Sequence, residues 1–474
     1  MNKIRKTKIV CTLGPASESP EMIQKLAEAG MNVVRLNFSH GNHEEQGARM
    51  DTVREVSDIS GYNIGILLDT KGPEIRCGVM QNGAVDFVKG DIVNVVSEEV
   101  EGNHDRVQVI VPELFDDVEV NDYLLIDDGK IRLTILDVKK GVLKCRVENS
   151  GVIKSRKGVN VPNVKLSMPF ISEKDEKDIR FGCQKDVDYI AASFVRRAKD
   201  VLDIRKILVS EGKTKIQIIA KIENQEGYDN LDAILEVADG VMVARGDLGV
   251  EVSTALVPIY QKSIIKRANE LGKPVITATH MLESMMANPR PTRAEANDVA
   301  NAVLDGSDAI MLSGETAAGE YPLEAVQTMN TIALTMEDII PYRERLDQSI
   351  KTSRHTIQDA IGISVADSAL QLEKVKAIVA FTQGGSTARR ISKFRPSVPI
   401  FAVTFTKSVQ RKLETYWGVI PILSDVQNEM TNDDELAQII ARDRGLVTGD
   451  YVIITAGYPT GEGTANMMKI VEIK

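Results

Sequence analysis

Cysteine is scarce and scattered in this chain. Its four thiols, Cys11, Cys77, Cys145 and Cys183, form no Cys-x-x-Cys or Cys/His cluster. That excludes a disulfide framework and a thiolate zinc site and fits a reducing, cytoplasmic compartment. Aromatic residues make up only 4%, with one tryptophan, and no basic block is interleaved with them. With a net charge of -10, nucleic acid is excluded as an expected partner. No apolar run approaches membrane-spanning length, and the basic start MNKIRKTK precedes an apolar stretch too short for a secretory signal. Neither a membrane partner nor targeting is expected. What is present is an apolar fraction of 43% over 474 residues, enough for about three domains with sizeable cores.

Strand-like runs alternate with helical periods over much of the chain. The runs are KIVCTL (8 to 13), NVVRLNF (32 to 38), IGILLD (64 to 69), DYIAASF (188 to 194), IQIIAKI (216 to 222), GVMVARG (240 to 246), PVITAT (274 to 279) and DAIMLSG (308 to 314). Amphipathic stretches such as PEMIQKLAEAG and ALVPIYQKSIIKRANELGK separate them, several closed by a glycine that stops a helix. Eight such units predict a closed (β/α)8 TIM barrel, with an open doubly wound sheet as the alternative.

A barrel places its site at the carboxyl ends of the strands. Six of these ends carry polar side chains: Arg35, Asn37 and Ser39; Asp69 and Thr70; Lys221 and Glu223; Arg245 and Asp247; Thr279; Ser313 and Glu315. Side chains alternate along a strand, so Lys221 and Glu223 share one face. An ammonium and a carboxylate at one strand mouth, with Asp247 at the next, can hold a divalent cation and an anionic substrate together. Magnesium suits two protein acids plus substrate oxygens. Either string alone reads equally well as strand-end salt bridges. Thr279, Ser313 and Glu315 stand where a proton relay could run.

The interval 73–169 breaks the pattern. It alternates with period two and carries Asp-Gly and Lys-Gly turns, which predicts a small inserted β-barrel lid between barrel parts 1–72 and 170–342. Asp127 and Asp128 are read as part of a hairpin turn rather than as calcium ligands. A C-terminal unit, 343–474, is expected to be an open α/β sheet. In it, Thr382, Gly384, Gly385, Ser386 and Thr387 join a strand to a helix, leaving backbone N-H groups free for a phosphate. Gly461, Gly463 and Thr464 form a second such loop. Each alone reads as a turn; together they fit a phosphate-bearing effector. Glu211-Gly-Lys-Thr214 looks like the tail of a P-loop but lacks the upstream glycine, where Ile207 stands.

Taken together, TKIVCTLGP, MNVVRLNFSHG, LLDTKGPEIR, KGVNVP, IIAKIENQEG, VMVARGDLGVE, PVITATHMLESM, the long string from NPRPTRAEAN to GEYPLEAV, and TGEGTAN resemble the pyruvate kinase family through all three units. The resemblance implies transfer of the phosphoryl group of phosphoenolpyruvate to ADP, giving pyruvate and ATP. It implies magnesium, or manganese in its place, on Glu223 and Asp247, and substrate carboxylate on the N-H groups of Gly246 and Asp247. Lys221 and Arg35 would hold the phosphoryl group. Potassium would bind at Asn37, Ser39, Asp69 and Thr70, and Asn37, His40, Arg76 and Lys157 would line the nucleotide path. A homotetramer is implied too. The family commonly has Gln where this chain has His280, whose titratable ring would change the pH profile. The chain is also expected to lack the extra C-terminal domain of some bacterial relatives.

Two other readings fit the strand ends less fully. A magnesium-dependent pyruvate-enolate lyase or aldolase on a TIM barrel needs neither a nucleotide lid nor Lys221, unless Lys221 forms a Schiff base. A non-catalytic sugar-phosphate sensor would use only the C-terminal unit.

Overall fold

The computed structural model describes residues 3–424, 433–457 and 465–474. Eight strands close into one parallel ring: β1 (Lys8–Thr12), β2 (Val33–Asn37), β3 (Gly65–Asp69), β4 (Tyr189–Ala192), β5 (Gln217–Ile222), β6 (Gly240–Ala244), β7 (Val275–Ala278) and β8 (Ala309–Leu312). Their order around the ring is β1-β8-β7-β6-β5-β4-β3-β2. The closed barrel therefore prevails over the open sheet, with each strand inside the run expected for it. These strands have no polar face because both faces are covered. Val10, Leu67, Ile219, Met242 and Met311 fill the inside of the ring, while Ile9, Leu68, Ile218 and Val243 pack outward against the helices.

The insertion is all-β. Its strands run in the order Ile75–Arg76, Gly158–Asn160, Tyr123–Ile126, Ile131–Lys139, Val142–Val147, Ile92–Val96 and Arg106–Gln108, beside a ribbon of Gly151–Lys154 and Ala84–Phe87. A bridge between Cys77 and Val109 joins the two edges of the larger sheet, with Ile110 N-H donating to Arg76 O at 3.1 Å. The edges thus pair with one another instead of facing solvent. Asp127 and Asp128 form the expected hairpin turn, both with positive φ (54° and 57°).

In the C-terminal unit β9 (Val375–Phe381), β10 (Ile400–Thr404), β11 (Val419–Leu423), β12 (Tyr451–Ala456) and β13 (Met467–Glu472) lie in the order β11-β10-β9-β12-β13, with only β13 antiparallel. It docks under the barrel through buried polar pairs. Glu414 receives Asn32 Nδ2 at 3.0 Å and Asn63 Nδ2 at 2.8 Å and lies 3.3 Å from Lys8 Nζ. Arg395 Nη2 donates to Asp308 Oδ2 at 2.9 Å. Among the described residues no helix is long and apolar enough to cross a membrane.

Candidate active site

The ring register brings the predicted strand ends together. Asn37 pairs with Asp69 across β2 and β3, and Ala191 pairs with Asp69 across β3 and β4. Lys221, in β5, is buried with its Nζ 3.1 Å from Asp69 Oδ1 and 2.9 Å from Glu223 Oε1. Its hydrogen bonds go to Asp69 and to Ser193 Oγ, at 2.7 Å. Arg35 Nε donates to Asp69 Oδ2 at 2.6 Å and its Nη1 to Thr12 Oγ1 at 3.1 Å. One carboxylate, Asp69, thus aligns both cations that the sequence places at the mouth.

Burial works against the charge on Lys221, but Asp69 and Glu223 outweigh it and hold the ammonium above its ordinary range. Burial would raise Asp69 as well; Lys221 and Arg35 overcome it and keep that carboxylate low. Glu223 goes the other way. Burial pushes it upward, Asp247 adds to the rise, and Lys221 opposes them without prevailing. Its Oε2 accepts the Phe194 N-H, whereas Oε1 is buried against the Lys221 ammonium as its ion-pair partner. Asp247 has neither an ion pair nor a side-chain hydrogen bond among the described residues. A divalent cation fits such a pair: one buried oxygen held by an ion pair, one carboxylate without any, and no set of three or more His, Cys, Asp or Glu among the described residues that would form an all-protein cage.

Asp247 lies in α1 (Arg245–Glu251), which begins directly after the last residue of β6. The N-H groups of its first turn have no helical acceptor, which makes them available to an anion. Gly246 N-H donates to Thr279 Oγ1 at 2.7 Å. Thr279 and His280 both take positive φ, 68° and 54°, a costly conformation for a β-branched residue and one that gathers at functional sites. Arg245 turns away from the mouth and fastens this turn: Nη2 donates to Thr279 O at 2.6 Å and Nη1 pairs with Asp298 at 2.7 Å. His280 is exposed. A cavity of about 930 Å³ runs from Asp247 past Thr279 and His280, and another of about 230 Å³ separates Asp247 and Phe194 from the lid at Asp128 and Gly158.

The remaining predicted residues are distributed unevenly. Asn37 Oδ1 accepts the Ser39 N-H at 3.0 Å, and Thr70 O accepts Ser193 Oγ-H at 2.6 Å. Asn37, Ser39, Asp69 and Thr70 therefore share one rim and are rich in oxygen. His40 is exposed on the same rim. Arg76 pairs with Glu74 at 2.6 Å and Lys157 with Asp127 at 2.9 Å, both on the lid side of the cleft. Glu315 is spent on structure: its carboxylate accepts Leu282 N-H and Ser313 N-H, while Ser313 Oγ is buried with no partner among the described residues. Of the proposed relay, Thr279 alone contacts a residue expected to meet substrate. Thr382 and Thr387 are buried beside Gly385, which caps α2 (Ser386–Lys393) with φ 85°. Gly461, Gly463 and Thr464 lie outside the described residues.

Ser193 and Thr12 were not anticipated. The only signal was a hydroxyl at the carboxyl end of an apolar run, in a position that the parallel register sets beside Lys221 or Arg35.

Comparison with known proteins shows the family of the chain. A family model described as pyruvate kinase, barrel domain, matches residues 4–326, and one described as pyruvate kinase, alpha/beta domain, matches 359–471. A pyruvate kinase of Staphylococcus haemolyticus is 55% identical over 473 residues, covering 98% of this chain and 80% of the relative. One of Geobacillus stearothermophilus is 54% identical over 472 residues with the same coverage. A crystal structure of a pyruvate kinase from Cryptosporidium parvum superimposes with TM-score 0.94 at 38% identity, covering 99% of this chain and 96% of that one.

Proposed function

We infer that this chain, which belongs to the pyruvate kinase family, carries out its phosphotransfer at the strand-end cluster of the barrel, moving the phosphoryl group of phosphoenolpyruvate to ADP and giving pyruvate and ATP. The observation that carries this reading is the Lys221 ammonium held between Asp69 and Glu223, beside an Asp247 carboxylate that has no ion pair among the described residues. Phosphoryl transfer asks little covalent help of a protein. It needs in-line positioning and cations where negative charge gathers. Lys221 and Arg35, both aligned by Asp69, face the transferring group. The first-turn N-H groups of Gly246 and Asp247 receive the substrate carboxylate, and the Gly246 N-H leaves Thr279 Oγ1 to do so. Glu223 and Asp247 would hold the magnesium or manganese ion, which would supply Lewis-acid charge at the enol oxygen when bound. Thr279, freed from Gly246, is placed to pass a proton toward the enolate carbon.

Asn37, Ser39, Asp69 and Thr70 hold potassium. Asn37, His40, Arg76 and Lys157 line the nucleotide path, with the insertion 73–169 acting as the lid that brings Arg76 and Lys157 over it. A sugar phosphate at the loops 382–387 and 461–464 is the effector, and a homotetramer is the assembly. Against a Schiff-base lyase stands the protonated state of Lys221, since a nucleophilic amine must be neutral. The test is ADP-dependent pyruvate formation from phosphoenolpyruvate, with magnesium and potassium each omitted in turn. Pyruvate released without ADP at a comparable rate would overturn the reading.

A further inference from the structure

A cleft of about 170 Å³ lies between the amino-terminal rim of the barrel and the C-terminal unit, and the chemistry above makes no use of it. Its barrel wall is the turn 212–216 that leads into β5, with Asp186 and Asp188 ahead of β4. The facing wall is Ser408 and Lys412, at the two ends of α3 (Lys407–Lys412). The turn contains Lys213 and Thr214 of the Glu-Gly-Lys-Thr string, with Lys215 next. Here five cations meet two carboxylates. Asp188 is bonded by Arg54 Nη2 at 2.9 Å and Arg411 Nε at 2.8 Å, and Asp186 by Arg411 Nη2 and Lys213 Nζ, both at 3.1 Å. Lys412 and Lys215 are left with no ion pair and no hydrogen bond among the described residues. Lys412 is only 9% exposed. Burial pulls its ammonium down to about 8, with Asp188 and Asp186 opposing at a distance and Arg411 and Lys215 adding to the fall. Keeping an unpaired cation this deep is unfavourable for the fold, and such perturbed groups gather where a ligand completes them. The N-H groups of Thr214 and Lys215 also meet no internal acceptor among the described residues.

We propose that this cleft binds a phosphate group, either inorganic phosphate or the phosphate of a small ester. Lys412 holds it from the C-terminal unit, and Lys215, the Thr214 hydroxyl and the turn N-H groups hold it from the barrel. A dianion placed so bridges the two units across their seam. The site shares no residue with the loop 382–387 or with the strand-end cluster.

Thermal melting of the full chain without magnesium, at fixed ionic strength, tests it. The wild type is expected to melt higher in millimolar phosphate than in chloride. Lys412→Met and Lys215→Glu lose that shift, and Ser386→Glu, altered at the other phosphate loop, keeps it. By titration calorimetry the phosphate affinity of Lys412→Met falls roughly tenfold or more. Lys215 is exposed, so its variant decides the matter if Lys412→Met fails to fold. Ribose 5-phosphate is run beside inorganic phosphate: a larger shift with the ester assigns the site to a metabolite, and equal shifts assign it to free phosphate. No phosphate shift in the wild type, or an undiminished shift in Lys215→Glu, overturns the proposal.

Discussion

Lys221 is the residue on which the proposed chemistry turns, and its surroundings state what losing it should do. Two carboxylates and a serine hydroxyl fix its ammonium within 3.1 Å, so its charge is preorganised before any substrate arrives. Preorganised charges act mainly on the transition state. Lys221→Met should therefore lower kcat by roughly 10² to 10³ or more with a far smaller change in KM for phosphoenolpyruvate. A steady-state comparison in saturating magnesium decides it, and near-normal turnover would remove Lys221 from the reaction. That Lys221, Glu223, Asp247 and Arg35 stand at the strand ends was legible in the sequence because a charge at the end of an apolar run is conspicuous. Ser193 was not, because a hydroxyl at a strand end is common, and only the ring register sets it between Asp69 and Lys221.

At the scale of strands and turns, the sequence reading worked best where both faces of a strand are buried, since an unbroken apolar run then has one meaning once its length is fixed. All eight barrel strands were found this way. The turn after β7 was not, since nothing in Thr-Ala-Thr-His announces two successive residues with positive φ; that conformation is imposed from outside by Arg245 and the Gly246 N-H. Close approach explains one small residue in the ring. A Cβ on Gly240, at the start of β6, would stand 2.8 Å from both Pro274 O and Ile219 Cδ1, and two backbones of a closed ring have little room to part. Gly240→Ala should destabilise the chain by about 1 to 3 kcal/mol, the usual range for overpacking. Urea midpoints of variant and wild type measure this, and an unchanged midpoint would mean that the ring yields more easily than its closure suggests.

Across the whole molecule, function depends on contacts between units that no local pattern encodes. The lid meets the barrel through Asn160 Nδ2, which donates to Glu251 Oε1 at 2.7 Å. Burial pushes Glu251 up to about 7 from an ordinary value of 4.5, with Asn160 opposing and Asp247 adding to the rise. The docked form therefore binds the proton more tightly than the undocked form. Docking is fully favoured below about 4.5 and loses that contribution as pH rises through about 7. Exchange of lid amides, corrected for intrinsic rates, should accelerate over that window in the wild type and not in Glu251→Gln; the same acceleration in both would clear Glu251. The second long-range contact concerns the effector. Gly385 opens α2 in the left-handed region without a side-chain cap, and Thr382 Oγ1 beside it is buried with no partner among the described residues, which leaves hydrogen-bonding capacity for a phosphate. A ligand there acts on a distant barrel mouth only by preferring one conformational state, so it should lower the half-saturating phosphoenolpyruvate concentration, with a coupling of about 1 to 3 kcal/mol. Ser386→Glu sets a negative charge where the phosphate would sit and should abolish activation while the maximal rate stays near that of the wild type. Phosphoenolpyruvate titrations with fructose bisphosphate, ribose phosphate, glucose phosphate and AMP in turn test this. If no compound moves the curve, or if the variant responds as the wild type does, then the loop 382–387 is an ordinary turn and control of the barrel must enter elsewhere.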